Sequence, residues 1–325
     1  MGSPSSSLAT LRPDLAAAFE EFPLEMDRRG FIGLQVAPVI DVALASNTFS
    51  KVPIEQLLQN PDTARAPGSG YGRGRFTFSK DTYATEENGW EEPVDDNESA
   101  MYANYVDSEM LAARRAYDAV LRNHEKRVAD LIFNTTTWTG ATLTTALLNE
   151  WDDYANATAV ADVEAAVRTI YENSGVWANA IILPKSAFRD LRQHDEIIDR
   201  VKYSGFQDPT TKGITTSVLA QLFDLQYVLV AGGTKNTADA GQAASLSSIW
   251  NADRAMVCHI NPTPDTRLPS LARTFHWGGD GSEVQGAFDS YREEQTRSEI
   301  IRVRHQTDEK VMYTELGHLL TNLTT

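Results

Sequence analysis

Six histidines, one cysteine and forty-five carboxylates are the side chains of this 325-residue sequence from which a catalytic or metal site would be built. The histidines are His124, His194, His259, His276, His305 and His318, and none lies within ten residues of another. Local zinc spacing is therefore absent, and the expectation is surface or interface histidines. Cys258 stands beside His259 in an expected strand, where neighbours point to opposite faces. The pair is thus no nucleophile and base, and Cys258 reads as a buried structural residue. The run "DDNES" from Asp95 has consecutive acids but lacks the alternating oxygen ligands of a calcium loop. It reads as a solvated acidic face. "GSGYGRG" (Gly68–Gly74) has no helix after it, and "AGGTKN" (Ala231–Asn236) follows a strand but lacks the rest of a phosphate loop. No catalytic residue, cofactor ligand or metal ligand is assigned. That weighs against an enzyme without eliminating one, since sites assemble from distant residues.

Composition narrows the classes further. Hydrophobic content of 42% and charged content of 23% are those of a packed globular protein, and the length fits two domains or one elaborate domain. The net charge of −16 repels nucleic acid and anionic membrane, so sequence-independent phosphate binding is disfavoured. A single cysteine excludes an internal disulfide framework and fits a reducing compartment. The start of the chain has no basic, apolar signal pattern. The most apolar segment, Phe31–Leu44, is interrupted by Pro38 and Asp41 and is shorter than the roughly 20 residues of a membrane helix.

The elements that would position these groups alternate between helix and strand without strict repetition. A short helix is expected in "LRPDLAAAFEEF" and extended chain from Phe31 to Phe49. The clearest helix runs from Asp107, an N-cap, to about Phe133, with apolar residues at steps of three and four. Helices follow in "VADVEAAVRTIYENSG", stopped by Gly175, in "KSAFRDLRQHDEIIDRVKYS" as two pieces, and in "TSVLAQLF". Strands are expected in "VWANAIILP", "QYVLVAGG", "SSIWNADRAMVCHI" and "ARTFHW". A closing hairpin is expected from "SEIIRVRH" and "KVMYTELG" about a turn at "QTDE". The class is α+β.

One stretch has little that could enter a core. Arg65, Arg73, Arg75 and Lys80 lie among glycines and aromatics, and from Asp81 to Met110 come ten acids with no Lys or Arg. Phe76 and Phe78 alternate with Thr77 and Ser79 as a strand does, and Glu86–Gly89 supplies a turn. The expectation is a hairpin over 65–98, with arms of roughly 15 residues reaching on the order of 50 Å. Such a ribbon is marginal alone in water. Its basic and acidic limbs are suited to a clasp on copies of the same chain, through Arg65, Arg73, Arg75, Phe76, Phe78, Lys80, Glu86, Glu87, Trp90, Glu91 and Glu92. On this reading the ribbon borrows rigidity from an adjoining copy, and its folding back against its own chain in a lone molecule would remove the ground for a shell.

The order of pieces resembles the major capsid proteins of tailed bacteriophages, which have the Hong Kong 97 (HK-97) type fold. "RAPG" at Arg65–Gly68 precedes the arm; Trp151 and the helix "VADVEAAVRTIYENSG" follow the long helix. "VWANAIILPKSAFRDLRQHDEIIDRVKYS", "LAQLFDLQYVLVAGGTKN" and "SSIWNADRAMVCHI" then resemble the family's segments in order, over about residues 30–320. Two departures are Asp224-Leu225, where the family often has Gly-Val, and the polar insert "TKNTADAGQAASLSS".

The resemblance implies an N-terminal arm (1–50), an extended β-hairpin loop (51–100), a peripheral domain with a spine helix (101–150 and 286–325) and an axial domain (151–285). It implies self-assembly into pentamers and hexamers of an icosahedral shell around double-stranded DNA, without sequence-specific binding, membrane or cofactor. It further implies assembly in the host cytoplasm, a place in the virion capsid, a separate scaffolding protein and a portal, with a decoration protein as a further candidate. An encapsulin-like compartment shares the fold and is the alternative; an unrelated acidic enzyme is the third reading.

Overall fold

The computed structural model describes residues 10–11, 30–51, 53–75, 77–102, 107–203, 213–239 and 241–324. The helix expected in "LRPDLAAAFEEF" falls on residues outside these, apart from Leu11, as does Phe76.

In chain order the elements are β1 (Thr10–Leu11), α1 (Gly33–Val36), β2 (Val39–Asp41), β3 (Ser46–Lys51), α2 (Ile54–Leu57), β4 (Ser79–Ala84), β5 (Glu86–Asp95), α3 (Asp96–Tyr102) and α4 (Ser108–Ile132). Then come β6 (Thr144–Ala146), α5 (Ala159–Ser174), β7 (Ala180–Pro184), α6 (Lys185–Leu191), α7 (Asp195–Tyr203), α8 (Thr216–Leu222) and β8 (Tyr227–Ala231). The last are β9 (Thr234–Asn236), β10 (Leu246–Ser248), β11 (Arg254–Cys258), β12 (Ala272–His276), β13 (Ala287–Glu293), β14 (Ser298–Val311) and β15 (Gly317–Thr321).

The 25-residue α4 is the spine, about 38 Å long at 1.5 Å per residue. Asp107 caps it by accepting the Met110 N–H at 3.1 Å, and Glu109 sits in its first turn, where the helix dipole favours an acid. Its buried stripe runs through Ala113, Tyr117, Val120, Leu121, Val128 and Ile132, as the spacing predicts. Two polar residues, His124 and Glu125, lie on the same stripe. Helix α5 ends at Gly175 with φ 68°, and the Gly175 N–H donates to the Tyr171 carbonyl.

Two sheets are built against this spine. One has the order β1-β13-β14-β12-β2, with β5 on the other edge of β14. The long strand β14 organises it: Ser298–Arg304 pairs with β13, Thr307–Val311 with β12, and Ser298–Thr307 with β5. The other sheet has the order β6-β15-β11-β7-β8 and is a wall shared by two cores. Because side chains alternate along a strand, Ala180 and Ile182 of β7 face the core under α4, while Ile181 and Leu183 face the core with α5–α8. Met256 and Cys258 against Ala255 and Val257 repeat this on β11, and Leu319 against Leu320 on β15. Both faces being buried, these strands read as continuous apolar runs.

Four expectations are corrected. The closing hairpin about "QTDE" does not exist; β14 runs unbroken for 14 residues from Ser298 to Val311. Its polar centre faces buried partners: His305 and Thr307 are buried, and Arg127 of the spine donates to both Glu309 oxygens at 2.8 and 3.0 Å. The 65–98 hairpin is also absent, because β4 pairs with β3 and β5 pairs with β14. Extended chain from Phe31 to Phe49 is interrupted by α1, whose N-terminal N–H groups are taken by Glu125. Finally, five of the six histidines are not surface groups: His124, His194, His276, His305 and His318 are buried, while His259 is half-buried.

The departure at Asp224 has a local reason. Asp224 has φ 53°, the left-handed region that glycine enters freely and aspartate tolerates.

Candidate assembly surface

The predicted contact residues separate into two groups in space. Strands β3 and β4 form an antiparallel ribbon with Lys51 opposite Ser79, and the described residues 53–75 and 77–78 belong to the loop that joins them. Arg65, Arg73, Arg75 and Phe78 belong to this exposed loop, and Lys80 lies on β4. Glu86, Glu87, Trp90, Glu91 and Glu92 lie on β5, in the sheet.

The ribbon is anchored at its base by aromatic packing. Tyr83 of β4 stacks on Phe275 of β12 with centroids 4.7 Å apart, and Phe49 of β3 approaches the same ring at 5.4 Å. Ile40 and Met312 complete this small core. Strand β14 also grips the outer edge of β4: the Ala84 N–H donates to Asp308 at 2.9 Å and the Lys310 ammonium donates to the Thr82 carbonyl. Asp81 lies 2.6 Å from Lys51 and 3.6 Å from Lys310. Partial burial pushes its carboxyl up, but the Lys51 hydrogen bond, the Thr82 N–H and both ammonium charges outweigh it and leave the group below its usual range.

Beyond this base the loop holds itself with short-range contacts. The Thr77 N–H donates to the Gln56 side chain at 2.8 Å, and the Gln56 amide donates back to the Thr77 hydroxyl. Arg65 donates to the Ser69 carbonyl at 2.7 Å and lies 4.6 Å from the Tyr71 ring centre. Residues 58–75 are exposed throughout, Tyr71 by 73% and Phe78 by 62%. Arg73 and Arg75 have no ion-pair partner among the described residues. Leu58 approaches Gly175, the C-terminal stop of α5 in its own chain.

The acidic limb is different. Over ten residues β5 is hydrogen-bonded in register to β14, with Glu91 opposite Arg302 and Trp90 opposite Val303. Glu91 accepts from the Tyr291 hydroxyl at 3.2 Å and lies 3.8 Å from Arg302. Glu92 accepts from the Trp90 indole at 2.9 Å and lies 3.6 Å from Arg115 of the spine. So this limb folds onto its own chain, and the expectation that the ribbon over 65–98 needs an adjoining copy to hold its shape is overturned for its acidic half; the ground for a shell that rested on it goes with it. Its other edge has no partner strand among the described residues and carries Glu86, Glu87, Glu91, Glu92 and Asp95, the charged protection that open strand edges need.

Sequence reasoning missed a buried polar seam along the spine. Glu125 accepts the Ile32 N–H at 3.0 Å and the Trp250 indole N–H at 2.6 Å on one oxygen, and the Gly33 N–H at 2.7 Å on the other. Burial pushes its carboxyl up despite these three donors. Next to it, His124 lies 3.4 Å from Glu309. Burial outweighs that neighbour and drives the His124 ring down to about 4, so it is neutral at pH 7. Arg127, bonded to both Glu309 oxygens, is the cation that keeps Glu309 ionised and below its usual range against the push of burial. The one available signal was phase: 124 and 125 fall on the apolar stripe of α4 with 117, 121, 128 and 132.

Among the described residues no group of three or more His, Cys, Asp or Glu is placed to hold a metal ion. Cys258 is buried, and burial pushes its thiol up. No helix among those residues is long and apolar enough to cross a membrane.

No family model matches the chain. Over 205 residues it is 27% identical to the major capsid protein of Burkholderia phage BcepMu, a stretch covering 62% of this chain and 63% of that protein. The fold is similar to a phage-related protein from Bordetella bronchiseptica RB50, with TM-score 0.70, 20% identity and coverage of 97% of this chain and 98% of that one. The capsid protein of cyanophage P-SCSP1u is similar at TM-score 0.60 and 11% identity, over 88% and 86% of the two chains. The SrpI encapsulin from Synechococcus elongatus PCC 7942 is similar at TM-score 0.51 and 8% identity, over 91% and 89%. The chain therefore has the HK-97-type fold found in phage capsid subunits.

Proposed function

We propose that this chain is a major capsid protein, whose copies close into the icosahedral shell that holds the double-stranded DNA of a tailed phage. The observation that carries this reading is the fold: it matches phage-related and capsid subunits along nearly its whole length, at TM-scores of 0.70 and 0.60. The geometry adds a reason of its own. The loop is exposed throughout residues 58–75, although Leu58 reaches Gly175 of its own chain, and a neighbouring copy is a surface that would cover the rest.

In this reading residues 1–50 are the N-terminal arm, the β13-β14-β12 sheet with α4 belongs to the peripheral domain and the β6-β15-β11-β7-β8 sheet with α5–α8 to the axial domain, so the expected bounds 101–150 with 286–325 and 151–285 shift: β12 joins the peripheral sheet and β6 and β15 the axial one. The extended loop contracts from 51–100 to 52–78, since β5 belongs to the peripheral sheet. Arg65, Arg73, Arg75 and Phe78 are its contact residues, and the acids of β5 are a surface they can meet on another copy. The role is structural rather than catalytic. The partners are the chain itself as pentamers and hexamers, a scaffolding protein and a portal, with a decoration protein as a further candidate. Assembly takes place in the host cytoplasm and the product is the virion capsid. A negative subunit suits this role, because a wall that binds DNA weakly lets it be driven in.

The encapsulin-like compartment is the second reading, favoured by the likeness at TM-score 0.51. Cargo decides between them. Particles purified from infected cells and treated with nuclease are expected to retain a protected DNA of uniform length. Particles holding a packaged enzyme and no DNA would overturn the phage reading in favour of the compartment.

A further inference from the structure

The spine helix carries a guanidinium whose Nε–H has no acceptor among the described residues. Arg122 lies on α4, and its Nε is shielded from water with no hydrogen-bond partner among the described residues. The side chain lines a cavity of about 700 Å³ together with Lys185 and Ser186 at the start of α6, Gly232 and Gly233 after β8, and the Phe31 ring. Lys185 is exposed and has no ion-pair partner among the described residues. Asp118, one turn earlier on α4, also lines the cavity and is already engaged in an interaction.

Two uncommitted cations on one cavity are unusual in a chain with 45 carboxylates and 29 lysines and arginines. A cation at an exposed rim is satisfied by water; an Nε–H out of reach of water is not. The planar fork of an arginine fits a carboxylate or phosphate through two parallel hydrogen bonds, and Lys185 adds a point charge. The glycine turn does not supply the anion site by itself, because the Gly232 N–H is spent on the Gly30 carbonyl at 2.7 Å. Recognition therefore falls to the two side chains.

We propose that this cavity receives an exposed carboxylate from a second copy of the chain, gripped by Arg122 and Lys185. The inference rests on the shell reading and deepens it. Copies with sixteen more acids than bases repel one another, so an assembly contact needs cations placed where a neighbour's acid arrives. The same net charge disfavours the phosphates of DNA as the occupant.

Isotope-mixed crosslinking tests this. Full-length unlabelled and ¹⁵N-labelled chains are co-assembled and treated with a water-soluble carbodiimide, which joins an amine to a carboxylate within bonding distance. The expected result is an amide from Lys185 to an Asp or Glu, about half of it in mixed-isotope peptide pairs, as random mixing of two copies requires. Arg122→Gln should lower that yield at least fivefold while leaving the monomer folded by thermal melting. Should Arg122→Gln fail to fold, the isotope pattern of the unsubstituted chain decides alone. Lys185 links found only in same-isotope pairs overturn the proposal, as does their loss in phosphate with particles intact, which assigns the cavity to a free oxyanion. Links that appear only after nuclease treatment overturn it in favour of DNA phosphate. Particles that form without any Lys185 link sink this inference and leave the shell reading standing; a chain that never associates sinks both.

Discussion

At the residue scale the structure is tied together by polar side chains on an apolar helix face. Glu125 joins the spine to the chain at Ile32–Gly33 and to Trp250. Glu125→Ala leaves three buried donors unpaired, and at about 1–3 kcal/mol for such a group the expected loss is roughly 3 kcal/mol or more in a denaturant melt. Glu125→Gln keeps one acceptor oxygen for Ile32 and Trp250 and should lose about half as much. His124 gives a pH dependence with a definite sign. Its folded value of about 4 lies below the ordinary 6.5, so it contributes stability that is complete above pH 6.5 and lost as pH falls toward 4. The loss is about 3 kcal/mol, and buried His305, also shifted down by desolvation, adds in the same direction. Melts between pH 7 and 4.5 should therefore show a shallower decline for His124→Leu than for the native chain. An unchanged slope would place the acid sensitivity elsewhere.

At the element scale the loop separates from the fold that carries it. Lys51 and Ser79 are opposite one another, so a two-residue Asn-Gly turn can replace residues 52–78 without disturbing β3 or β4. The excised chain should melt within a few degrees of the native one, because the aromatic anchor at Phe275 remains, yet form no particles in electron microscopy. Charge reversal at Arg73 and Arg75 to Glu should likewise leave the subunit folded and impair assembly; normal particles would show that these charges are not contact residues. The sequence made the spine helix legible because its cap, dipole and apolar phase agree, and the β7, β8 and β11 strands legible because they are apolar on both faces. It misread the loop because the mate of β5 is about two hundred residues away in β14 and the pairing leaves no local trace. It misread "QTDE" as a turn because polar residues usually mark solvent, whereas Thr307 and Glu309 face the Arg127 guanidinium inside.

At the scale of the whole molecule, the acidic surface and the exposed loop make sense together only if copies meet. A chain with net charge −16 stays apart from its neighbours unless specific contacts overcome repulsion, and that makes assembly sensitive to salt. In the proposed reading the loop, the cationic cavity beside the spine and the acid-lined edge of β5 are the surfaces that would supply such contacts, and a closed shell needs more than one. The most direct test of this account is electron microscopy of the purified full-length chain, assembled with and without a scaffolding protein, at a resolution that traces residues 52–78. The account predicts uniform closed particles in which that loop lies over an adjoining copy. A chain that remains a monomer at every salt and protein concentration, or closed particles in which residues 59–75 touch no adjoining copy, would contradict it.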